Sequence, residues 1–290
     1  EIVAGGYYTA TYQSNTGTAV LVGQGSGAEQ VNPATQSKHA VQLGQVGHGQ
    51  CRLSVASTTQ LVLKPYNGSN VIVNGAPFSI PSAGITYTAS GLTASTAYYV
   101  YLSVSAGVGT LVLNSLAHSP NPANGVETAT SNTALTLVGM VYNGTSGFTV
   151  SAPGNQLCLN WFQRRRLPLA TASSSNNTTS GSSVALGGVL NCLSWADGSI
   201  NAVAFGAGYN TTINCGGTCQ LFTNGAAGAA TAGQFYSTTS SGSGIQYNFS
   251  STTTQGSPTE LTLYAFQLFG AATTGGSAFF GWSTQGGVDG

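Results

Sequence analysis

Apolar and polar positions alternate with a period of two in run after run of this chain, the pattern of strands rather than helices. Residues 98–104 show it best. Tyr98, Val100, Leu102 and Val104 fall on one side and Tyr99, Tyr101 and Ser103 on the other, which predicts a strand buried on one face. Asn-Gly and Asp-Gly pairs, suited to the positive φ angles of tight turns, begin at Asn67, Asn74, Asn124, Asn143, Asp197 and Asn224. Residues 60–66 and 71–73 flank the first pair, and 135–142 and 148–151 flank the pair at Asn143, so both read as hairpins. No segment carries a convincing helical period. The 41 glycines, with many β-branched and aromatic residues, point the same way.

Four zones follow. Residues 1–50 are rich in Gly, Gln, Ser and Thr, with little core-forming pattern beyond 19–22, and predict an extended arm that needs a partner to be ordered. Residues 51–166 form a first β module that closes on Arg164, Arg165 and Arg166. Residues 167–183 hold a Ser, Asn and Thr cluster with little apolar content and read as a linker. Residues 184–290 form a second β module, with its strongest strands at 189–195, 200–205, 220–222, 245–249 and 261–269. The expected fold is all-β: an extended N-terminal arm followed by two β-sandwich, jelly-roll-like modules.

Charge narrows the functions. Six Lys plus Arg and six Asp plus Glu make only 4% of 290 residues, with a formal net charge of zero, where a typical domain carries about 25% charged residues. Such a surface has no electrostatic footprint for nucleic acid or an anionic membrane. With 41% hydrophobic residues the chain is too apolar for a disordered protein. The longest apolar stretches, such as 184–195, are broken by Gly and Asn and fall short of the roughly 20 residues of a membrane helix, so no membrane insertion is expected. The first residues lack the basic and apolar pattern of a signal peptide.

Motifs for chemistry are scarce. There is no GxGxxG, no lysine after a Gly-rich loop and no G-x-S-x-G elbow, so no cofactor and no catalytic residue is assigned. His39, His48 and His118 read as polar-loop histidines. Sugar cleavage needs two facing carboxyl groups, and away from the termini only Glu29, Glu127, Asp197 and Glu260 exist. Asp197 and Glu260 are the one pairing that would serve, although turn preference alone explains Asp197. Among the cysteines at 51, 158, 192, 215 and 219, the Cys215–Cys219 pair reads either as a local disulfide or as buried thiols, and no metal is assigned. Half of the cationic charge sits in Arg164, Arg165 and Arg166 beside Trp161 and Phe162, a combination that suits a boundary between modules or subunits better than nucleic acid. Tyr209, Phe235 and Tyr236 read as loop aromatics able to stack on sugar rings.

Several stretches together resemble one class of protein. Gln36-Ser-Lys-His-Ala-Val-Gln-Leu-Gly-Gln45 is similar to a short segment that recurs in tail-fibre proteins of tailed bacteriophages, near the passage from anchoring arm to body. Cys51-Arg-Leu-Ser, Leu63-Lys-Pro-Tyr-Asn-Gly68, Val71-Ile-Val-Asn-Gly-Ala, Gly91-Leu-Thr-Ala-Ser-Thr-Ala-Tyr-Tyr-Val-Tyr101, Leu137-Val-Gly-Met-Val-Tyr142 and Trp161-Phe-Gln-Arg-Arg-Arg166 resemble a β module of phage fibre and appendage proteins. Leu190-Asn-Cys-Leu-Ser-Trp-Ala-Asp197 and Leu261-Thr-Leu-Tyr-Ala-Phe-Gln-Leu-Phe-Gly270 look like the terminal sandwich of such fibres. The resemblance implies a non-enzymatic structural protein of the virion, exposed on the particle and assembled as a homotrimer. Residues 1–50, with Lys38, His39 and Leu43 in the anchoring segment, would dock on tail or head proteins, and the C-terminal module would meet a host-surface glycan or protein. A head fibre or capsid decoration without a receptor role, and a glycan-depolymerising tailspike, are the alternatives. The arm is short for such a fibre, and no coiled-coil or repetitive shaft follows it.

Overall fold

The computed structural model describes residues 7–13, 18–24, 47–152, 154–172, 174–227, 232–237, 247–273 and 276–289. They fall in two compact units, 1–46 and 47–290. In the first, β1 (Tyr7–Gln13) and β2 (Thr18–Gln24) form an antiparallel hairpin in register from Tyr7 with Gln24 to Gln13 with Thr18. Lys38, His39 and Leu43 lie outside the described residues.

The second unit opens with five strands of two small sheets: β3 (Cys51–Ser57), β4 (Gln60–Pro65), β5 (Asn70–Val73), β6 (Ala76–Ser79) and β7 (Ile85–Thr88). They pair as β3-β4-β7 and β5-β6. A larger sheet follows, built on β8 (Thr96–Ser105), β9 (Val108–Asn114), β10 (His118–Pro120), β11 (Glu127–Ala129) and β12 (Asn132–Gly144). Its order is β10-β11-β12-β8-β9, with β13 (Gly147–Phe148) and β15 (Cys158–Asn160) also on β12. Between them, β14 (Asn155–Gln156) leaves this sheet altogether.

Of the turns, Asn74-Gly75 joins β5 to β6 with both residues at positive φ (51° and 75°), as a two-residue hairpin requires. The pair at Asn67 instead turns a corner, because β4 and β5 belong to different sheets. At Asn143 the hairpin sits two residues late: Asn143 pairs with Phe148 and Gly144 with Gly147, so both members of the pair are strand residues. The Asn143 amide is drawn inward to donate to Thr93 O at 2.8 Å.

Strand β8 departs from expectation in an informative way. Val100 and Leu102 pack with Leu53, Leu61, Leu63, Val71 and Leu111 on one face, yet Tyr99 and Tyr101 are equally buried on the other. The second face is covered by Leu193 and Trp195 of the C-terminal half. Alternation alone marks two faces; it does not say whether both find cover.

That half is a β-sandwich. One sheet runs β14-β18-β24-β20-β21, with β18 (Val184–Cys192), β20 (Cys215–Thr223), β21 (Ala226–Ala227), β24 (Tyr264–Thr273) and, on β20, β22 (Gly233–Ser237). The other runs β16-β25-β19-β23, with β16 (Arg166–Ala170), β19 (Ser199–Asn210), β23 (Tyr247–Gly256) and β25 (Ala278–Asp289), and β17 (Ser174–Thr178) also on β25. Leu186, Leu190, Leu221, Phe266 and Leu268 meet Leu169, Ile200, Ala204, Phe280 and Trp282 between them. Trp282 is a core residue of the sandwich, 3% exposed.

The expected linker is therefore structure. Within 167–183, β16 and β17 pair end to end along β25, from Arg166 with Asp289 to Thr178 with Ala278. Outer strands need backbone partners and only one buried face, which Leu169 and Thr178 supply, so Ser175, Asn176 and Asn177 stay exposed. The expected break at residue 166 is blurred as well, since β14 joins β18 in parallel, Asn155 with Asn191 and Gln156 with Cys192. Asn160 stitches β15 to β3: its Oδ1 accepts from Leu53 N at 2.6 Å and its Nδ2 donates to Leu53 O at 3.2 Å. Asn160→Ala leaves both Leu53 groups unpaired and is expected to cost about 1–3 kcal/mol, read as a lower thermal midpoint; an unchanged midpoint would show the stitch to be idle.

Candidate functional site

Where the two halves of residues 47–290 meet, the structure gathers the half-buried charges of His118, Glu127, Glu260 and Arg164, with the exposed Asp197 at the edge. Strand β8 supplies Tyr99, β10 His118 and β11 Glu127. The bend after β15 supplies Trp161 and Arg164, the turn before β19 supplies Trp195 and Asp197, and the turn between β23 and β24 supplies Glu260. His118 lies between the two glutamates, Nδ1 at 2.8 Å from Glu127 Oε2 and Nε2 at 3.0 Å from Glu260 Oε2. Glu260 also accepts from Tyr99 OH at 2.5 Å and from Ala196 N at 3.0 Å.

A neutral imidazole has one N–H donor, so it cannot donate to both carboxylates; the arrangement calls for the imidazolium. Burial alone would lower the His118 pKa, but hydrogen bonds and charge from Glu260 and Glu127 outweigh it and leave the pKa raised. For Glu260, burial works upward, and the donors His118, Ala196 N and Tyr99 outweigh it, holding the carboxyl at about 2. A carboxyl so held stays ionised at neutral pH and cannot act there as a general acid.

Aromatic rings wall the cluster. Trp161 and Trp195 meet edge to face at 4.9 Å, and His118 lies 4.9 Å from Trp161 and 5.3 Å from Tyr99. The Arg164 guanidinium lies 4.0 Å over Trp161 and 4.9 Å over Trp195, and its Nη1 reaches Asp197 Oδ1 at 2.6 Å. Trp195 Nε1 donates to Asn160 O at 3.1 Å. Two non-glycine residues with left-handed backbone flank the seam, Gln163 (φ 57°) before Arg164 and Leu261 (φ 54°) after Glu260. Both are turns held by the surrounding contacts against local preference.

Of the five residues expected at a boundary, Trp161 and Arg164 thus stand between the two halves. Phe162 turns the other way, onto His48 (ring centroids 4.8 Å apart) and Gly49, whose positive φ and closeness to the Phe162 ring leave no room for a side chain. Arg165 is exposed beside a groove shared with Arg52, and Arg166 begins β16 and donates to Asn201 Oδ1. Asp197 and Glu260, the pair weighed for sugar cleavage, are committed to different cations, Arg164 and His118. The reading of His118 as a polar-loop histidine is corrected: it is a half-buried strand residue. One partner, Glu127, is nine positions away across the Asn124-Gly125 turn, while the other, Glu260, is 142 positions away and carries no local mark.

The cysteines lie in the core. Cys215 and Cys219 share strand β20 four residues apart, about 13 Å along a strand and too far for a disulfide. Burial pushes the thiols of Cys51, Cys158, Cys192 and Cys219 up to about 12, which suits packing rather than reactivity.

The three aromatics expected in loops are all on strands. Phe235, on β22, is 6% exposed and packs edge-on to Phe280 at 5.3 Å. It is a core residue and no surface contact, because Gly208 and Gly217 leave the space its ring fills; a Cβ at either would meet that ring at 2.4 Å. Tyr236, next along, points out and is 52% exposed. Tyr209 stands on the outer face of β19, stacked on Phe279 of β25 with centroids 4.8 Å apart and planes 5° from parallel. Beside this pair runs an open groove of about 480 Å³ lined by Ser175, Asn177, Ala207 and Gly281 among others, with no charged residue. Register explains it: Asn177, Phe279 and Tyr209 form one cross-strand row, and the row two residues on is Ser175, Gly281 and Ala207, small enough to leave a trough.

No family model matches the chain, and no curated protein matches it in sequence. Among solved structures, that of the infectious bursal disease virus Gx strain is similar at 13% identity over 82% of this chain and 69% of that one, with a TM-score of 0.27. A Bacillus thuringiensis Cry1Da tryptic core variant is similar at 12% identity over 81% of this chain and 46% of that one, with a TM-score of 0.24. Likenesses this distant say nothing of what the chain does.

Proposed function

We propose that this chain is a structural component of a phage virion, a short trimeric fibre that attaches the particle to its host by non-covalent binding. The observation that carries the reading is where the carboxylates go. Glu127, Glu260 and Asp197 are each bound to His118 or Arg164 in the seam, while the outer groove of the sandwich holds only neutral side chains. These carboxylates serve cohesion, and the uncharged groove suits recognition by stacking and neutral hydrogen bonds. The sequence resemblance over residues 36–45, within 51–166 and near the two ends of the second module supports the same reading. Residues 1–50 would then dock on the particle, and a threefold arrangement would multiply a weak contact into firm attachment.

The test removes the chain from the particle and measures adsorption to host cells, with purified chain added as competitor and the medium assayed for released sugar ends. Adsorption should fall on removal and be blocked by the purified chain, with no sugar released. Normal adsorption by particles without the chain would leave a decoration protein, and released sugar ends would make it a depolymerase.

A further inference from the structure

We infer that the groove on the outer face of the β16-β25-β19-β23 sheet is a binding site for an uncharged saccharide. The inference rests on the attachment reading and gives it a place and a ligand class. The floor is Gly281 and Ala207, opposite one another in register, and one wall is the Tyr209–Phe279 pair. Ser175 lies across from Gly281 on β17 and Asn248 across from Ala207 on β23, so a hydroxyl and an amide cap the two ends of that row, both exposed. Asn177 flanks Phe279 in the next row. On the far side of the trough Phe205, two residues from Ala207 on the same face, is 43% exposed.

Such a trough offers apolar ring surface to the C–H face of a pyranose and neutral donors and acceptors to its hydroxyls. Its volume, about 480 Å³, lies in the range of ligand sites. The absence of charge among its lining residues selects the sugar. A uronic acid, a sialic acid or a phosphorylated sugar would lose water from its anion with no cation to receive it. An uncharged hexose chain loses little and finds hydrogen bonds at both ends of the row.

Gly281 provides a clean variant. It lies in extended strand with its nearest non-neighbouring atom, Ala207 O, 3.8 Å from an added Cβ, so Gly281→Val fills the trough without disturbing the sandwich. The experiment titrates the full chain with neutral malto-, cello- and laminari-oligosaccharides and with oligogalacturonate, each with wild type, Tyr209→Ala and Gly281→Val at matched thermal midpoints. At least one neutral oligosaccharide should bind, at least tenfold more weakly to either variant, with oligogalacturonate no better than the weakest neutral probe. Binding unaffected by both variants, tighter binding of oligogalacturonate, or no binding of any neutral probe by wild type would overturn the inference. Particles carrying Gly281→Val separate the two readings. If adsorption needs the chain but ignores the variant, this site falls and attachment stands; if adsorption ignores the chain, attachment falls.

Discussion

Glu260→Ala is expected to destabilise residues 47–290 by about 3–5 kcal/mol, because it strips one partner from a buried charge network and leaves the rest behind. The side chain is 16% exposed and serves His118, Tyr99 and the Ala196 amide at once. Without it, the imidazolium keeps only Glu127, and a phenol and a backbone N–H lose their acceptor. The effect depends on pH, with two signs. His118 has its pKa raised above 6.5, so its contribution is complete below that value and is lost as pH rises through the higher folded value. Glu260 is held at about 2 against 4.5, so its contribution is complete above 4.5 and is lost as pH falls towards 2. The seam is therefore strongest between roughly pH 4.5 and 6.5. Urea melts from pH 3 to 9 should show wild type most stable in that window and the variant with a flatter profile. Coincident profiles would mean that the cluster does not hold the two halves together.

Phe235→Ala is expected to cost about 3–5 kcal/mol, the penalty of emptying a packed aromatic site. The ring fills the space left by Gly208 and Gly217 and meets Phe280, and two backbone-only positions cannot collapse to close the cavity. Tyr236→Ala, one residue along and pointing outward, should stay within about 0.5 kcal/mol of wild type. The paired melts discriminate between a core and a surface residue. Equal midpoints for the two variants would return Phe235 to the surface, where the sequence had placed it.

These cases show what could be read in advance. Glycine is silent about why it occurs. At Asn74-Gly75 it makes the hairpin its pair predicts, whereas at Asn143-Gly144 the same dipeptide is strand, with the turn displaced to the next two residues. In Gly208 and Gly217 it is room for a ring that arrives from β22. Polarity misleads likewise at β17, where Ser and Asn look like linker but supply the backbone ladder of a sandwich edge.

The candidate site divides along the same line. Tyr209 was expected in a loop and stands on β19, and its partner Phe279 and the trough at Gly281 required the register of β19 on β25. Of the His118 cluster only the neighbour Glu127, nine positions on across the Asn124-Gly125 turn, lay within local reach; nothing in the sequence marks Glu260, 142 positions away, as the second partner.

By itself the sequence determined the all-β class, the alternation that orients each strand and the near absence of charge, because period and composition act residue by residue. Folding settled that β8 is buried on both faces, that 167–183 belongs to the sandwich and that His118, Glu127 and Glu260 meet in one seam. Those outcomes depend on which distant strand provides cover or a counter-charge, a non-local choice settled by burial and pairing together.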